Sequence, residues 1–571
     1  MRGETSSRIR LLSIMVILVG VLIAIKLYLV QIVSGANLAS RAENQYVKQT
    51  NDTFDRGSIF FSGKDGGLIS AATLKAGFTA YFNPKLIDNA DEVYKKISAI
   101  IEIDHDGFFA SAAKKSDPYE EIAKKISQAD VTRLEALGIP GLGFYKDKWR
   151  FYPGNSLAAQ EVGFVAYQGD QLAGRYGLER FYQDNLVRSP DSTFVNFFAE
   201  LFSNLRDTFL HSKSLEGDIV TTIEPTVQAT LERELENIKA TWSSKEVGGI
   251  IINPKNGEIY ALGVSPTFDL NYFWAESDPK VFSNPLVENV YEMGSIMKPL
   301  TLAAGLDAGV ITATTTYNDT GFLILNGRKI QNFDGKARGV VSMQEILNQS
   351  LNIGATYVAL KLGKQALPHY FESFGFNEET GVDLPNETRG LIGNLTVGEP
   401  QDISLATASF GQGIALTAIE IARALCTLGN GGLLVTPHLV KRINYKIGFD
   451  KTLSFQEPKQ VLRKDTSEEI SRMLTKVFDE ALGEGKYRMS RYSIAAKTGT
   501  AQIANPNGGG YYEDKYLHSF FGYFPAFDPK FLVFLYQVEP QQVQYASQTL
   551  AEPFSKLAKF LISYYEVPPD R

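Results

Sequence analysis

The sequence contains very little cysteine. A single residue, Cys426, occurs among 571, so no disulfide can form within the chain. The surrounding pattern, "EIARALCTLG", is helical, and we expect Cys426 to pack there as a small apolar group. Histidine is also scarce, because only five are present. None has metal-ligand spacing to another histidine or to the cysteine, so the sequence predicts no zinc site.

The chain also has no excess of positive charge. Lysine and arginine total 57 against 64 acidic residues, which gives a formal net charge of -7, and no basic stripe occurs. This balance argues against nucleic acid as the main partner. Long low-complexity runs are missing too, and 44% of the residues are hydrophobic, as expected of a globular protein. A chain of this length is too long to fold around a single hydrophobic core, so we predict two or more folded units.

One long hydrophobic run is present, at residues 11–33, and Lys26 is its only charged residue. As a helix it would extend about 34 Å, enough to cross a bilayer. The competing interpretation is a cleaved signal peptide. However, the run is longer than the apolar region of a typical signal peptide, and "SGANLAS" is a poor cleavage site. Three arginines precede the run. They predict a cytoplasmic tail at 1–10, a membrane anchor at 11–33 and an extracytoplasmic remainder.

Residues 34–216 predict an extended α+β module without an evident catalytic cluster. A strand-like "AGFTAYF", helical stretches such as "DEVYKKISAIIEI" and several turn signals alternate there. One stretch has apolar residues at helical spacing: Phe194, Phe198, Leu201, Leu205 and Phe209. We expect this stripe to pack on its own domain. The alternative is a helix that lies on the membrane or binds a partner.

The pattern changes near Gly217, and residues 217–571 predict a second domain. "VGGIIINPKNGEIYALGV" gives two apolar strands around the turn residues 253–257. Two further strands, "HSFFGYF" and "FLVFLYQV", occur near the end of the chain, before an amphipathic helix. Several helical segments lie between these strand pairs. We therefore predict one antiparallel sheet built from distant segments, with helices packed on its faces.

Three short motifs occur in this second domain. "YEMGSIMKPL" contains Ser295 and Lys298. This spacing alone is weak, since "SAAK" repeats it at residues 111–114, and a capping serine followed by a solvated lysine would explain it equally well. "QSLNIGA" then contains Ser350 and Asn352. The run "AAKTGTAQI" contains Lys497, Thr498, Gly499 and Thr500. The order Ser-x-x-Lys, Ser-x-Asn, Lys-Thr-Gly resembles that of the penicillin-recognising acyltransferases.

The chemistry of acyl transfer accounts for these residue types. A serine hydroxyl needs a neighbouring base to become a nucleophile. Residues three apart share a helix face, so Lys298 can reach Ser295. Burial, the positive helix end and the charge of Lys497 would favour a neutral Lys298 amine. Ser350 would relay a proton to the leaving amine, and Asn352 would hold Lys298 and a substrate amide.

The Lys-Thr-Gly run predicts an edge strand beside the same pocket. Gly499 would let a substrate backbone approach and pair with that strand. Thr498 and Thr500 would offer hydroxyls to a substrate carboxylate, with the charge of Lys497 nearby. The backbone N–H groups of Ser295 and Thr500 would then be the oxyanion donors. The alternatives are an exposed strand lysine at 497 and a turn or cap residue at Asn352.

At this point the sequence resembles the class B penicillin-binding proteins, the monofunctional D,D-transpeptidases of bacterial cell-wall synthesis. Residues Arg56, Gly57 and Ile59 in "DRGSI" resemble the box that opens the pedestal domain of this family. "RFYPGN" and "GRYGLERFYQDNL" resemble its later pedestal motifs, and "FGFNEETGVDLPNETRG" and "SFGQGIALTAIEIARALCTLGNGG" resemble stretches of its transpeptidase domain. Two positions depart from the family pattern. "FFSGKDGG" replaces the usual Asp-Arg-Asn-Gly, and Met293 replaces the proline before Gly-Ser.

The resemblance implies a peptidoglycan stem peptide ending in D-Ala-D-Ala as substrate. Ser295 would attack the penultimate carbonyl, release D-Ala and pass the acyl group to an amine, and β-lactams would trap the same serine. It implies no metal or organic cofactor. A membrane glycan polymerase would be the partner, together with proteins of the division or elongation machinery, and the moderate length leans slightly toward division. The alternatives are a β-lactamase or β-lactam sensor, a D,D-carboxypeptidase, and a catalytically silent cell-wall scaffold.

Overall fold

The computed structural model describes residues 54–169, 171–188, 216–446 and 448–571, together with Gly20, Ile23 and Lys26. The predicted tail, the rest of the predicted anchor and the phenylalanine-rich stripe at 194–209 lie outside these residues. Within the described part of the chain, no helix combines the length and the apolar character needed to cross a membrane. The chain divides into two compact units, residues 1–55 with 75–149 and residues 56–74 with 150–571.

The smaller unit has its own hydrophobic core. Among residues 75–149 of this unit, each of the three α-helices begins at a polar side chain, Asn89, Asp104 or Ser127, which accepts a hydrogen bond from a backbone N–H of the first turn. Such caps satisfy donors that lack a partner within the helix. The helices are Ala90–Ser98, His105–Ala113 and Gln128–Glu135. Their apolar faces pack with strand Glu120–Ile126 and with parts of Leu68–Phe82 and Leu142–Phe151.

The larger unit contains a five-stranded antiparallel sheet, as predicted. Its order is Ala495–Ala504, Tyr511–Phe524, Phe531–Val538, Glu246–Ile252 and Ile259–Ser265. Strands near residue 250 therefore pair with strands near residue 535, which the sequence places far apart. The predicted hairpin turn is present, because Gly257 N–H donates to the Asn253 carbonyl at 2.9 Å.

Helices cover both faces of this sheet. Along Phe531–Val538, residues Val533 and Leu535 belong to one core, and Leu532, Phe534 and Tyr536 belong to the other. This alternation follows from the two-residue period of a strand. Helices Pro225–Trp242 and Ala551–Tyr564 pack on the first face. The second face carries the core that surrounds helix Lys298–Asp307, so the sheet and this helix are fixed to each other.

The remaining elements of the larger unit extend this framework. The other α-helices among its described residues are Ala159–Val162, Gly177–Phe181, Gln183–Leu186, Pro285–Glu288, Met343–Asn348, Asn352–Ser373, Gly393–Thr396, Asp402–Ser409, Ala418–Cys426, Lys464–Lys476 and Ala546–Thr549. Its other strands include Ile59–Ser62, Gly217–Thr221, Val440–Tyr445, Thr316–Asp319, Phe322–Leu325, Arg328–Gln331 and Gly339–Ser342. Cys426 is fully buried, as predicted for a small apolar group, and burial raises the pKa of its thiol.

The Arg-Gly-x-Ile residues of the larger unit form a buried framework. Arg56 donates to the Glu179 carboxylate at 2.5 Å and to the Glu179 carbonyl at 2.6 Å. Arg150 donates to the other carboxylate oxygen at 2.5 Å and to the Gly57 carbonyl at 2.7 Å. Ile59 is fully buried in the core. Glu179 therefore joins Arg56, 123 residues earlier in the chain, to Arg150, 29 residues earlier.

Candidate active site

Ser295 lies in a short 3-10 helix, Gly294–Met297, which continues directly into helix Lys298–Asp307. Gly294 permits the sharp entry, because its φ is +66° and a Cβ there would lie 2.8 Å from the Thr500 carbonyl oxygen. The Ser295 side chain caps neither helix, and Lys298 is fully buried. The interpretation as a capping serine with a solvated lysine is therefore excluded.

The Lys298 amine contacts both predicted serines. It lies 2.9 Å from Ser295 Oγ, 3.1 Å from Ser350 Oγ and 2.6 Å from the Ser350 carbonyl oxygen. Lys497 Nζ lies 3.3 Å from the same Ser350 hydroxyl and 3.0 Å from the Thr498 carbonyl. The Ser350 hydroxyl therefore stands between two lysines. The three motifs predicted from the sequence meet at this point.

Burial makes both lysines weak bases. It lowers the pKa of Lys298 well below its ordinary value, and the nearby positive charge of Lys497 lowers it further. Burial also lowers the pKa of Lys497 to about 8. The charged form of an amine is disfavoured away from water, and a second cation adds repulsion. An uncharged Lys298 can accept a proton from the adjacent hydroxyl.

Ser350 has an unusual backbone conformation. It lies between helices Met343–Asn348 and Asn352–Ser373 with a φ of +55°. Residues other than glycine seldom adopt this left-handed region, and strained residues of this kind cluster at functional sites. The conformation brings the carbonyl and the hydroxyl of Ser350 to the same amine.

Asn352 does not hold Lys298 through a hydrogen bond in this structure. Its side-chain nitrogen donates to the carbonyl of Gln331 at 2.9 Å. The next residue, Ile353, donates its backbone N–H to the Asn332 side chain at 3.2 Å. The start of this helix is thus bound to strand Arg328–Gln331. Asn352 also lines the cleft described below, where it can contact a substrate.

Lys497, Thr498, Gly499 and Thr500 occupy the edge strand of the five-stranded sheet, as predicted. The reason for glycine at 499 differs from the expected one. A Cβ there would lie 2.3 Å from Ser519 Oγ and 2.7 Å from the Met293 carbonyl oxygen. Gly499 is therefore required for the internal packing of this strand against the segment that carries Ser295. Thr500 Oγ1 accepts a hydrogen bond from the Ala546 backbone N–H at 3.1 Å.

The predicted residues surround one cleft of about 1080 Å³. Lys298 and Gly499 lie beneath its surface and are buried. The predicted site residues that line it are Ser295, Ser350, Asn352, Lys497, Thr498 and Thr500. The second Ser-x-x-Lys sequence has a separate, structural explanation, because Ser111 and Lys114 both bind Glu120 within the smaller unit.

Sequence reasoning missed three residues that position the site. Ser519 donates from Oγ to the Met293 carbonyl at 2.8 Å, and the Gly411 carbonyl accepts from the Gly294 N–H at 3.1 Å. Gln331 binds Asn352, as described above. Gly411 lies in the family-like stretch "SFGQGIALTAIEIARALCTLGNGG" and Ser519 in the predicted strand "HSFFGYF", but neither pattern indicates a contact with the site, and Gln331 carries no signal. Their contacts are made with segments that only the fold brings close.

Comparison with known families gives two matches. Residues 247–559 match the penicillin binding protein transpeptidase domain, and residues 56–196 match the penicillin-binding protein dimerisation domain. Stage V sporulation protein D of Bacillus subtilis (strain 168) is 30% identical, and the alignment covers 96% of this chain and 85% of that protein. The peptidoglycan D,D-transpeptidase FtsI of Buchnera aphidicola subsp. Schizaphis graminum is 24% identical, with coverage of 96% and 94%.

Solved structures share the fold. Penicillin binding protein 2X of Streptococcus thermophilus superposes with a TM-score of 0.72 at 19% identity, covering 90% of this chain and 81% of that one. Penicillin binding protein 3 of Mycobacterium tuberculosis, complexed with aztreonam, superposes with a TM-score of 0.68 at 20% identity. The match covers 91% of this chain and 98% of that one. Together, the two domain matches and the full-length relative show that this chain belongs to the penicillin-binding protein transpeptidase family and has the dimerisation and transpeptidase domains of its class B members.

Proposed function

We propose that this protein is a serine D,D-transpeptidase that cross-links peptidoglycan stem peptides. One observation carries the proposal: the buried Lys298 amine lies 2.9 Å from Ser295 Oγ and also contacts Ser350. Relatives named peptidoglycan D,D-transpeptidase support the substrate class. The reactive side chains of Ser295, Lys298 and Lys497 are all present and in contact range of one another or of Ser350, which argues against a catalytically silent scaffold.

Acylation proceeds in a balanced sequence of proton transfers. The neutral Lys298 amine takes the Ser295 proton as Oγ bonds to the penultimate D-Ala carbonyl carbon. The backbone N–H groups of Ser295 and Thr500 stabilise the resulting oxyanion. Ser350 relays the proton from Lys298 to the leaving nitrogen, and the C–N bond breaks to release D-Ala. A second stem-peptide amine then attacks the ester, and its proton returns through the same groups to Ser295.

The edge strand positions the acyl donor. Charged Lys497 attracts the terminal carboxylate of the donor, while Thr498 and Thr500 donate hydroxyl hydrogen bonds to it. Asn352, which also lines the cleft, orients a donor amide. A β-lactam presents the same carboxylate and a reactive carbonyl, so it acylates Ser295 in place of the peptide. Structural relatives complexed with aztreonam and ampicillin support this part of the proposal.

Labelled penicillin tests the proposal. The detergent-solubilised full chain is incubated with the drug, and adducts are followed by intact-mass spectrometry for the wild type and Ser295→Ala. We expect a long-lived adduct that the variant lacks. Rapid loss of the adduct would instead indicate a β-lactamase, and no adduct in either protein would indicate a scaffold. Release of D-Ala without cross-linked product would indicate a carboxypeptidase.

We also propose how the chain is organised in the cell. Residues 11–33 anchor it in the cytoplasmic membrane, residues 34–216 form the pedestal, and 217–571 form the extracytoplasmic transpeptidase domain. The hydrophobic run at 11–33 supports the anchor. The partner is a membrane glycan polymerase of the division or elongation machinery. Protease added to intact spheroplasts should digest everything after residue 33, and protection of the transpeptidase domain would contradict this orientation.

A further inference from the structure

The walls of the cleft carry charge of one sign. Four cationic residues line it, namely Arg328, Lys329, Arg338 and Lys497, and none of the described lining residues is acidic. Two of these cations, Arg328 and Lys329, belong to strand Arg328–Gln331, which pairs with Phe322–Leu325 in a hairpin. A site with this charge distribution favours a ligand that carries more than one negative charge.

Three of the four cations already have partners. Arg338 forms two hydrogen bonds with the Asp334 carboxylate, at 3.0 and 2.8 Å. Lys497 belongs to the catalytic cluster, and the Lys329 ammonium lies 5.0 Å from the centre of the Phe322 ring. Arg328 is exposed and makes neither an ion pair nor a side-chain hydrogen bond with any described residue. Its guanidinium is therefore available to a ligand.

The hairpin that carries Arg328 is held by hydrogen bonds at both ends. One end of its strand is tied to the Ser-x-Asn motif, because Asn352 donates to the Gln331 carbonyl at 2.9 Å. At the other end, Ile403 N–H donates to the Asn326 side chain at 3.0 Å. Arg328 precedes Gln331 by three residues, which corresponds to about 10 Å along a strand. An extended donor peptide covers the same distance with about three residues.

We propose that Arg328 binds a second carboxylate of the acyl donor, on a side chain about three residues before the bond that is cleaved. This inference rests on the proposed transpeptidase function and names its substrate class, an extended peptide with an acidic side chain in addition to its terminal carboxylate. The planar guanidinium can bind such a carboxylate through two parallel hydrogen bonds. Arg328 is thus a specificity-determining residue of the cleft that Lys497 also lines.

Two donor peptides that differ in one group test this proposal. Both end in a D-alanyl thioester, and they carry glutamate or the isosteric glutamine three residues before the thioester. Release of thiol gives kcat/KM for each donor with the full-length protein. We expect the wild type to prefer the glutamate donor by about tenfold, as for one good charge-assisted contact. In Arg328→Gln this preference should fall to less than about twofold, while Arg328→Lys should keep part of it.

Arg488→Gln is the matched control, because Arg488 is also exposed but does not line the cleft; it should keep the full preference. Thermal melting checks that each variant is folded. Lys329→Gln, which removes the neighbouring cation, is measured in the same way. The assignment is overturned if the wild type uses both donors at equal rates, or if Arg328→Gln keeps the full preference. It is also overturned if the preference is lost only in Lys329→Gln. The penicillin adduct of the wild type is measured separately. If it forms while the preference is missing, only the Arg328 inference fails; if it does not form, the proposed function itself fails.

Discussion

The side-chain nitrogen of Lys298 lies 2.6 Å from the backbone carbonyl oxygen of Ser350. This contact exists because Ser350 adopts a left-handed backbone conformation, with φ at +55°. The carbonyl and the two nearby hydroxyls give the buried amine hydrogen-bond partners without a countercharge. Lys298 can therefore be buried as a neutral base, held in position to receive the Ser295 proton.

Replacing Lys298 by arginine should nearly abolish acylation. Arginine keeps its proton at any working pH, so the Ser295 proton would have no acceptor. We expect the rate of penicillin adduct formation to fall by about 10²- to 10⁴-fold, the usual contribution of a general base. Lys556→Arg, on the exposed face of helix Ala551–Tyr564, serves as control and should react at the wild-type rate. Equal rates for Lys298→Arg and the wild type would contradict the assigned role.

Acylation should decline at alkaline pH as Lys497 loses its charge. The pKa of Lys497 is lowered to about 8, so the cation that attracts the β-lactam carboxylate is present below that pH and lost above it. Burial and the charge of Lys497 lower the pKa of Lys298 well below its ordinary value, so rising pH only favours its neutral, base form further. We expect kcat/KM for acylation to fall by at least about tenfold between pH 7.5 and 9.5. Lys497→Arg should remove most of this decline, and an unaltered profile in that variant would exclude Lys497 as its cause.

A methyl group at position 499 should damage the site through packing. In Gly499→Ala the new Cβ would overlap Ser519 Oγ and the Met293 carbonyl, so the segment carrying Ser295 must move. We expect penicillin acylation to fall by about 10²-fold, the loss that a small misplacement of reacting groups produces. Gly508→Ala, in the turn after the same strand, meets only a flexible side chain and is the control. Normal acylation by Gly499→Ala would show that the strand can adjust without cost.

Removing the charge of Glu179 should destabilise the larger unit. Arg56 and Arg150 share this carboxylate, and all three side chains are almost completely buried. Glu179→Gln would leave two buried cations without a countercharge, a change that typically costs about 3–5 kcal/mol. Differential scanning calorimetry should show a clear decrease in Tm. Glu276→Gln removes an exposed carboxylate from the same unit and should leave Tm unchanged; a similar Tm for both variants would contradict a stabilising role for the cluster.

Much of the site was predictable because its parts are local. Helix geometry places residues three apart on one face, so Lys298 could be expected near Ser295. The order of the three motifs then separated this pair from the second Ser-x-x-Lys at Ser111 and Lys114. The apolar strand runs near residues 250 and 535 likewise predicted one sheet with helices packed on its faces. The helical pattern around the single cysteine predicted that it packs as a small apolar group, and Cys426 is fully buried.

Other features depend on contacts between distant segments. Lys497 and Ser350 meet across 147 residues, and only the pairing of the sheet with the helical core decides their separation. The sequence suggested Lys298 as the partner of Asn352, whereas the fold supplies the Gln331 carbonyl. It explained Gly499 by substrate access, whereas packing against Met293 and Ser519 requires it. The sequence by itself determined which side chains could react, because that depends on local helix geometry. Only tertiary packing decided which backbone carbonyls hold those side chains in place, because every residue has a carbonyl and the sequence does not mark the ones that are used.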